Sequence, residues 1–199
     1  MNKNQNLPRR HFLRGGLIGG AVIMSGVGLF VDKVVSAAES RNDSYSGLRV
    51  LIHALRSTNN AACLNASYRL EEALLSNTEV NLHLRNADLK ASDAETIAEA
   101  LLEVSLNDLP VITSFSMSYN PDLTDAGVVA LAKALPRSLS EVGFVDCNIG
   151  DDGGAALLQF SQHAAGLRMI CLEGNRFSEA LKRKFAKLSQ ARAGLMVIV

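Results

Sequence analysis

A short α/β solenoid, with parallel strands on its concave face, helices on its convex face and a helical cap at its N-terminal end, is the fold class these 199 residues predict. Three observations point to it. Short helix-like phrases recur along the chain, stretches alternating with period two lie between them, and matching positions in successive stretches fall 27 or 28 residues apart. A single such unit cannot bury its own apolar side, so stacked neighbours must share one core.

The helical phrases are "RLEEAL" from Arg69, "TIAEAL" from Thr96, "ALAKAL" from Ala130 and the looser "ALLQFS" from Ala156. Each sets apolar or small residues four apart, the spacing of one helix face. The strand-like stretches align on one another. The first reads Leu82-x-Leu84-x-x-Ala87-x-Leu89. The second reads Ile112-x-x-Phe115-x-Met117-x-x-Asn120, with Leu123 one residue late. The third reads Leu139-x-x-Val142-x-Phe144-x-x-Cys147-x-Ile149, and the fourth Leu167-x-x-Ile170-x-Leu172-x-x-Asn175-x-Phe177. Asn120 to Cys147 is 27 residues and Cys147 to Asn175 is 28; the first interval is 33 because "LEVSLNDLPV" lengthens one connection. This pattern resembles the leucine-rich repeat, L-x-x-L-x-L-x-x-N/C-x-L. The period and the turns "LTDAGVVAL" and "IGDDGGAAL" look like its long, ribonuclease-inhibitor-type subclass. The resemblance covers residues 79–199 as about four repeats, with "GLMVIV" as a further incomplete strand.

Inward residues of each strand, Phe144 and Leu172 among them, are expected to stack between units. Gly127 and Gly153 enter helices, where they allow close packing or an unusual backbone angle. Asp125 and Asp151, just before them, suit a helix start. Ahead of the repeats, residues 38–78 read as linker and cap. Leu70 and Leu74 sit 27 before Ile97 and Leu101, which predicts a capping helix over 66–76. "GLRVLIHALR", residues 47–56, fits helix or strand, and helix is the preferred expectation. "FSEALKRKFAKLSQ" reads as the last helix, with Leu181, Phe185 and Leu188 on one face.

Charge narrows the function. Of the 20 basic and 20 acidic side chains, five basic ones (Lys3, Arg9, Arg10, Arg14, Lys33) and one acid, Asp32, fall within residues 1–37; the remainder carries 15 against 19. A mildly acidic body without tryptophan argues against a nucleic-acid binder. Residues 15–31 then run seventeen positions without a charge, six of them glycine, slightly short for a bilayer span. "VVSAAES" follows, with Ala37 and Ala38 as small-residue exits. "RRHFLR", with Arg9, Arg10, Phe12 and Leu13 in order, resembles the twin-arginine export signal. It departs at Pro8 before the pair and at Arg14 in place of lysine. The resemblance implies a bacterial protein exported already folded, periplasmic or secreted, with residues 1–37 cleaved or kept as an anchor. Cys63, Cys147 and Cys171 show no metal or redox spacing. Cys147 and Cys171 differ by four positions within adjacent units, roughly 13 Å at about 3.3 Å per residue, so free thiols are expected.

Asn120, Cys147 and Asn175 occupy the inward N/C position, where a structural role is expected. His11, His53, His83 and His163 have no ligand spacing, and no phosphate loop or nucleophile elbow appears. No enzyme activity, cofactor or metal is expected. The outward positions of the strands remain: Asn81, His83, Arg85 and Asn86; Ser114, Ser116, Ser118 and Tyr119; Glu141, Gly143, Val145 and Asp146; Met169, Cys171, Glu173 and Gly174. Of these, His83, Arg85, Asn86, Ser116, Tyr119, Asp146 and Glu173 are the candidate partner-binding residues. The expected function is a protein–protein interaction module acting through the concave sheet. The alternatives are a secreted effector engaging host proteins, or an enzyme or non-catalytic subunit of an exported enzyme. The partners expected are an unspecified protein and the twin-arginine translocation machinery. Membrane contact is expected only through the signal segment, or weakly through the basic helix with Lys182, Arg183, Lys184, Lys187 and Arg192. The "GLMVIV" sheet edge could also pair with another chain.

Overall fold

A computed structural model describes residues 46–104 and 112–199. The proposed export signal, with Arg9, Arg10, Phe12 and Leu13 and its exits at Ala37 and Ala38, lies outside the described residues. Two helices come first, α1 (Ser46–Ser57) and α2 (Ala61–Ser76). Strand and helix then alternate: β1 (Val80–His83), α3 (Ala91–Leu102), β2 (Ile112–Ser116), α4 (Thr124–Ala134), β3 (Glu141–Gly143), α5 (Asp151–His163), β4 (Met169–Cys171), α6 (Glu179–Ala191) and β5 (Met196–Ile198). The five strands form one parallel sheet in sequence order.

The segment that reads as helix or strand is helical, because Leu48, Leu51, Ile52 and Leu55 fall on one stripe and are all buried. At its end, Ser57 and Thr58 hydroxyls donate to the carbonyls of Ala54 and Leu55, both at 2.8 Å. Asn60 then caps α2, its Oδ1 accepting from the amides of Ala62 and Cys63. Helix α2 closes on Asn77 in the left-handed conformation. The capping helix expected over 66–76 is thus five residues longer. It packs against α1 and β1, while α1 packs against α3. Arg56 joins the two helices, pairing with Glu71 at 2.6 Å and lying 5.4 Å over the Tyr68 ring. Both charges are well exposed, so the pair contributes at most about 1 kcal/mol.

The regular strands are shorter than the alternating stretches: β3, β4 and β5 have three residues each. Alternation continues past each strand into a turn that opens on a left-handed residue. These are Asn86 (φ 49°), Tyr119 (φ 65°), Asp146 (φ 51°) and Gly174 (φ 74°), one per unit. In the last three units the residue that follows is polar and holds the turn, while the first turn, followed by Ala87, is held by Asn120 of the next unit. Asn120, fully buried, accepts from the amides of Ala87 and Leu89 and donates to the carbonyls of Leu84, Met117 and Ser118. Asn175 repeats this one unit further, accepting from Cys147 and Ile149 and donating to Phe144 and Leu172. Between them the Cys147 thiol donates to the carbonyls of Met117 and Val145, both at 3.3 Å. Each inward polar side chain therefore satisfies backbone groups of its own unit and of the one before.

The core is continuous from Leu48 to Leu195, with Phe115 and Phe144 at its centre, ring centroids 5.9 Å apart. Close packing explains the helical glycines. A Cβ at Gly127 would come 2.9 Å from that of Ala94, and one at Gly153 would come 2.5 Å from Ile149 Cγ2. Asp125 and Asp151 stand in the first turns of their own helices, as expected, and their side chains bond across units. Asp125 Oδ1 accepts from the amides of Gly150 and Gly153 at the start of α5, each at 2.8 Å. Asp151 Oδ1 accepts from Ser178, the N-cap of α6, at 2.7 Å. Arg192 closes the opposite end of α5, donating to the carbonyls of Ser161, Ala164, Ala165 and Leu167. Its charge is committed to that helix. Lys182 pairs with Glu179 at 3.2 Å, while Arg183, Lys184 and Lys187 are exposed. No helix among the described residues is long and apolar enough to cross a membrane.

Candidate protein-binding site

Helices cover one face of the sheet, and the other face is open. The register aligns His83, Ser116, Gly143, Cys171 and Ile198 in one row across five strands. Asn81, Ser114, Glu141, Met169 and Met196 form the row beside it. Continuing the same register past the strands brings Arg85, Ser118, Val145 and Glu173 into a third. Side chains of all three rows line a concavity of about 290 Å³.

Its floor is low because its central residues are small. Ser114, Ser116 and Ser118 are buried although their side chains lie on the open face. Ser116 and Ser118 hydroxyls lie 3.2 Å apart, and Ser118 Oγ accepts from the Val145 amide at 3.0 Å. A Cβ at Gly143 would come 2.9 Å from Ser116 Oγ and 3.1 Å from Ser118 Oγ. The serines are thus spoken for by the sheet, and glycine keeps space above them.

The two ends of the concavity differ in charge. At the β1 end, Arg85 lies 5.3 Å over the ring of Tyr119, which is 42% exposed. His83 Nε2 is 2.8 Å from Ser114 Oγ. Burial, then the positive charges of Arg85 and Arg69, push the His83 imidazole below its ordinary value, so at neutral pH Arg85 carries the cationic charge here. At the β3–β4 end are Glu141 and Glu173. Neither is ion-paired among the described residues, and Glu173 Oε2 is shielded from solvent without a hydrogen-bond partner. Cys171 lies between them, half-buried; burial first, then Glu173 and Glu141, raise its thiol above the ordinary value.

Of the seven candidate residues, His83, Arg85, Ser116, Tyr119 and Glu173 come together in this concavity. Asn86 and Asp146 sit on the turns beside it and outside its lining, although Tyr119, at the equivalent left-handed position of its own turn, lines it. The Asp146 carboxylate packs on Gly174, where a Cβ would collide with it. Glu141, Met169 and Cys171 join the lining. Cys171 shares its row with the candidates His83 and Ser116, whereas Glu141 and Met169 stand in the neighbouring Ser114 row, from which no candidate was chosen.

The remaining polar candidates are dispersed. His53 is exposed on α1, and His163 Nδ1 is 2.8 Å from the carbonyl of Gln159 on the same helix. Cys63, Cys147 and Cys171 are free thiols. Among the described residues no group of three or more His, Cys, Asp or Glu side chains is arranged to hold a metal ion.

The strand, left-handed turn, inward Asn or Cys and returning helix recur in matching order. The family model for the leucine-rich repeat matches residues 108–132 and 136–158, which contain β2 with α4 and β3 with most of α5. These two stretches are leucine-rich repeats. β1 with α3, and β4 with α6, continue the same order on either side of them. The fold is a short leucine-rich-repeat solenoid, and the repeats mark a scaffold of the kind that typically binds proteins and is typically non-catalytic. No curated protein matches the chain.

Proposed function

We propose that this leucine-rich-repeat protein is an exported protein-interaction module that seats its partner on the concave sheet by non-covalent recognition. The observation that carries the reading is the open concavity, to which four successive units contribute side chains in register, bounded by Arg85 with Tyr119 at one end and by Glu141 with Glu173 at the other. A partner there meets an ordered cation, an aromatic face and unpaired carboxylates, the kinds of group that give specificity and on-rate. The 27–28-residue spacing supports the ribonuclease-inhibitor-like subclass. The export route rests on "RRHFLR", the apolar stretch behind it and the small-residue exit. It accords with three thiols that the fold leaves unpaired.

Two experiments test the reading. Replacing Arg9 and Arg10 by lysine should hold a precursor in the bacterial cytoplasm, and normal export of that variant would refute the route. Capture of the partner from the periplasmic fraction should be lost with Tyr119→Ala and with Arg85→Ala. Undiminished capture by both variants would move the site off this face.

A further inference from the structure

The concavity has a direction. Arg85 and Glu173 stand in one row just past the ends of the first and fourth strands, three strand spacings apart at the backbone, or about 14 Å at roughly 4.8 Å per spacing. Only Ser118 and Val145 stand between them in that row, with Ser116 and Gly143 beside them. The floor between the two charges is therefore small, and its hydroxyls already bond one another and the sheet. It offers little to a ligand beyond room. Recognition falls to the ends.

The end groups are held in different ways. Arg85 is steadied over the Tyr119 ring with no carboxylate partner among the described residues. Glu173 turns one oxygen out of solvent with nothing to bond it, and Glu141 faces the same space, exposed and unpaired. A shielded, unbonded carboxylate oxygen is costly unless a donor meets it. No positive group of the described residues does so.

We propose that the concave face binds an extended peptide segment of a protein partner laid across the strands. A lysine or arginine of that segment meets Glu173, and an acidic residue about four positions away meets Arg85. Four residues of extended chain span about 13 Å at roughly 3.3 Å each, which matches the separation of the ends. The small floor admits the backbone between them. Opposed charges at fixed separation also set orientation, because a reversed segment would place like charges together at both ends. This inference rests on the concave-face reading and assigns the partner's chemistry within it.

The test is selection of a displayed library of random eight-residue peptides on the full-length chain, alongside the Arg85→Ala/Tyr119→Ala double variant. The selected peptides should carry a basic and an acidic residue three to five positions apart. Their affinity should fall at least tenfold with Glu173→Gln and with Arg85→Gln, whose native side chain makes no hydrogen bond to the described residues, and should fall again as salt is raised. Reversing the order of the two charges in a selected peptide should weaken it by a similar factor. Peptides that lack opposed charges, yet bind the wild type and not the double variant, would overturn this inference and leave the binding face standing. Failure to select any peptide that distinguishes the wild type from the double variant would overturn both.

Discussion

Asp125 Oδ1 lies 2.8 Å from the amide nitrogen of Gly153, a residue of the next repeat, and at the same distance from that of Gly150. The start of α5 is thereby capped by a side chain that belongs to α4. The two glycines let the carboxylate in: a Cβ on Gly150 would come 2.8 Å from Asp125 Oδ2, and one on Gly153 would come 2.7 Å from Oδ1. Helix capping has become an inter-repeat contact, repeated by Asp151 on Ser178. Replacing Asp125 by alanine should cost about 1–2 kcal/mol in urea unfolding, the scale of a lost cap. Asp125→Asn, which keeps an acceptor oxygen, should cost less than half of that. Equal losses would assign the effect to charge rather than to the hydrogen bonds.

The asparagine ladder should be costlier to break. Asn120→Ala removes a side chain that is fully buried, leaves the amides of Ala87 and Leu89 unpaired, and strips three carbonyls of a donor. At about 1–3 kcal/mol per orphaned buried group, a loss of roughly 2–4 kcal/mol is expected. Asn175→Ala, in a partly buried site with two donated bonds, should lose less. Hydrogen exchange checks the mechanism: the Ala87 and Leu89 amides should lose protection together in Asn120→Ala.

The thiols should separate by position. Burial raises Cys63 and pushes Cys147 up to about 11, and both side chains are fully enclosed. Cys171 lies half-buried in the concavity. In the native protein a maleimide reagent should label Cys171 first, with Cys63 and Cys147 reacting only as the chain unfolds, and a bound peptide should slow labelling of Cys171. Early labelling of Cys147 would contradict the packing described here.

His83 supplies a pH signature. Its folded value lies below the ordinary 6.5 or so, so the fold favours the neutral imidazole. The associated stability is present above that value and declines as pH falls from it through the lower folded value. An NMR titration of the full-length chain should place the His83 midpoint below 6.5. Arg85→Gln should move it upward, because that guanidinium is the largest cause after burial. A midpoint at or above 6.5, or one indifferent to Arg85, would refute this electrostatic picture.

Much of the fold could be read from local spacing, because repeats carry their register in the primary structure. Leu48, Leu51, Ile52 and Leu55 announce α1, and Asn120, Cys147 and Asn175 mark the ladder before any contact is known. Contacts that depend on which unit lies beside which were not legible. Asp125 and Arg192 read as local cap and basic helix tail, yet their partners stand in the neighbouring repeat, 25–31 residues away. The candidate site shows the same limit. Alternation identified the outward side chains His83, Arg85, Ser116 and Tyr119. It could not tell that, of the equivalent left-handed turn residues Asn86, Tyr119 and Asp146, only Tyr119 would line the concavity, nor that Glu141 and Cys171 would join it. That information is in the cross-strand register, which forms only when the units stack.

A partner seated on the concave sheet lies within reach of a photo-crosslinker placed there. With p-benzoylphenylalanine placed at Tyr119 in the concavity, or at the exposed Ala155 on the helical face, the protein would be irradiated in the intact bacterium. A discrete crosslinked product is expected from position 119 that disappears with Arg85→Gln, and none from position 155. Crosslinking from position 155 with none from position 119 would place the partner on the helices and refute binding by the sheet.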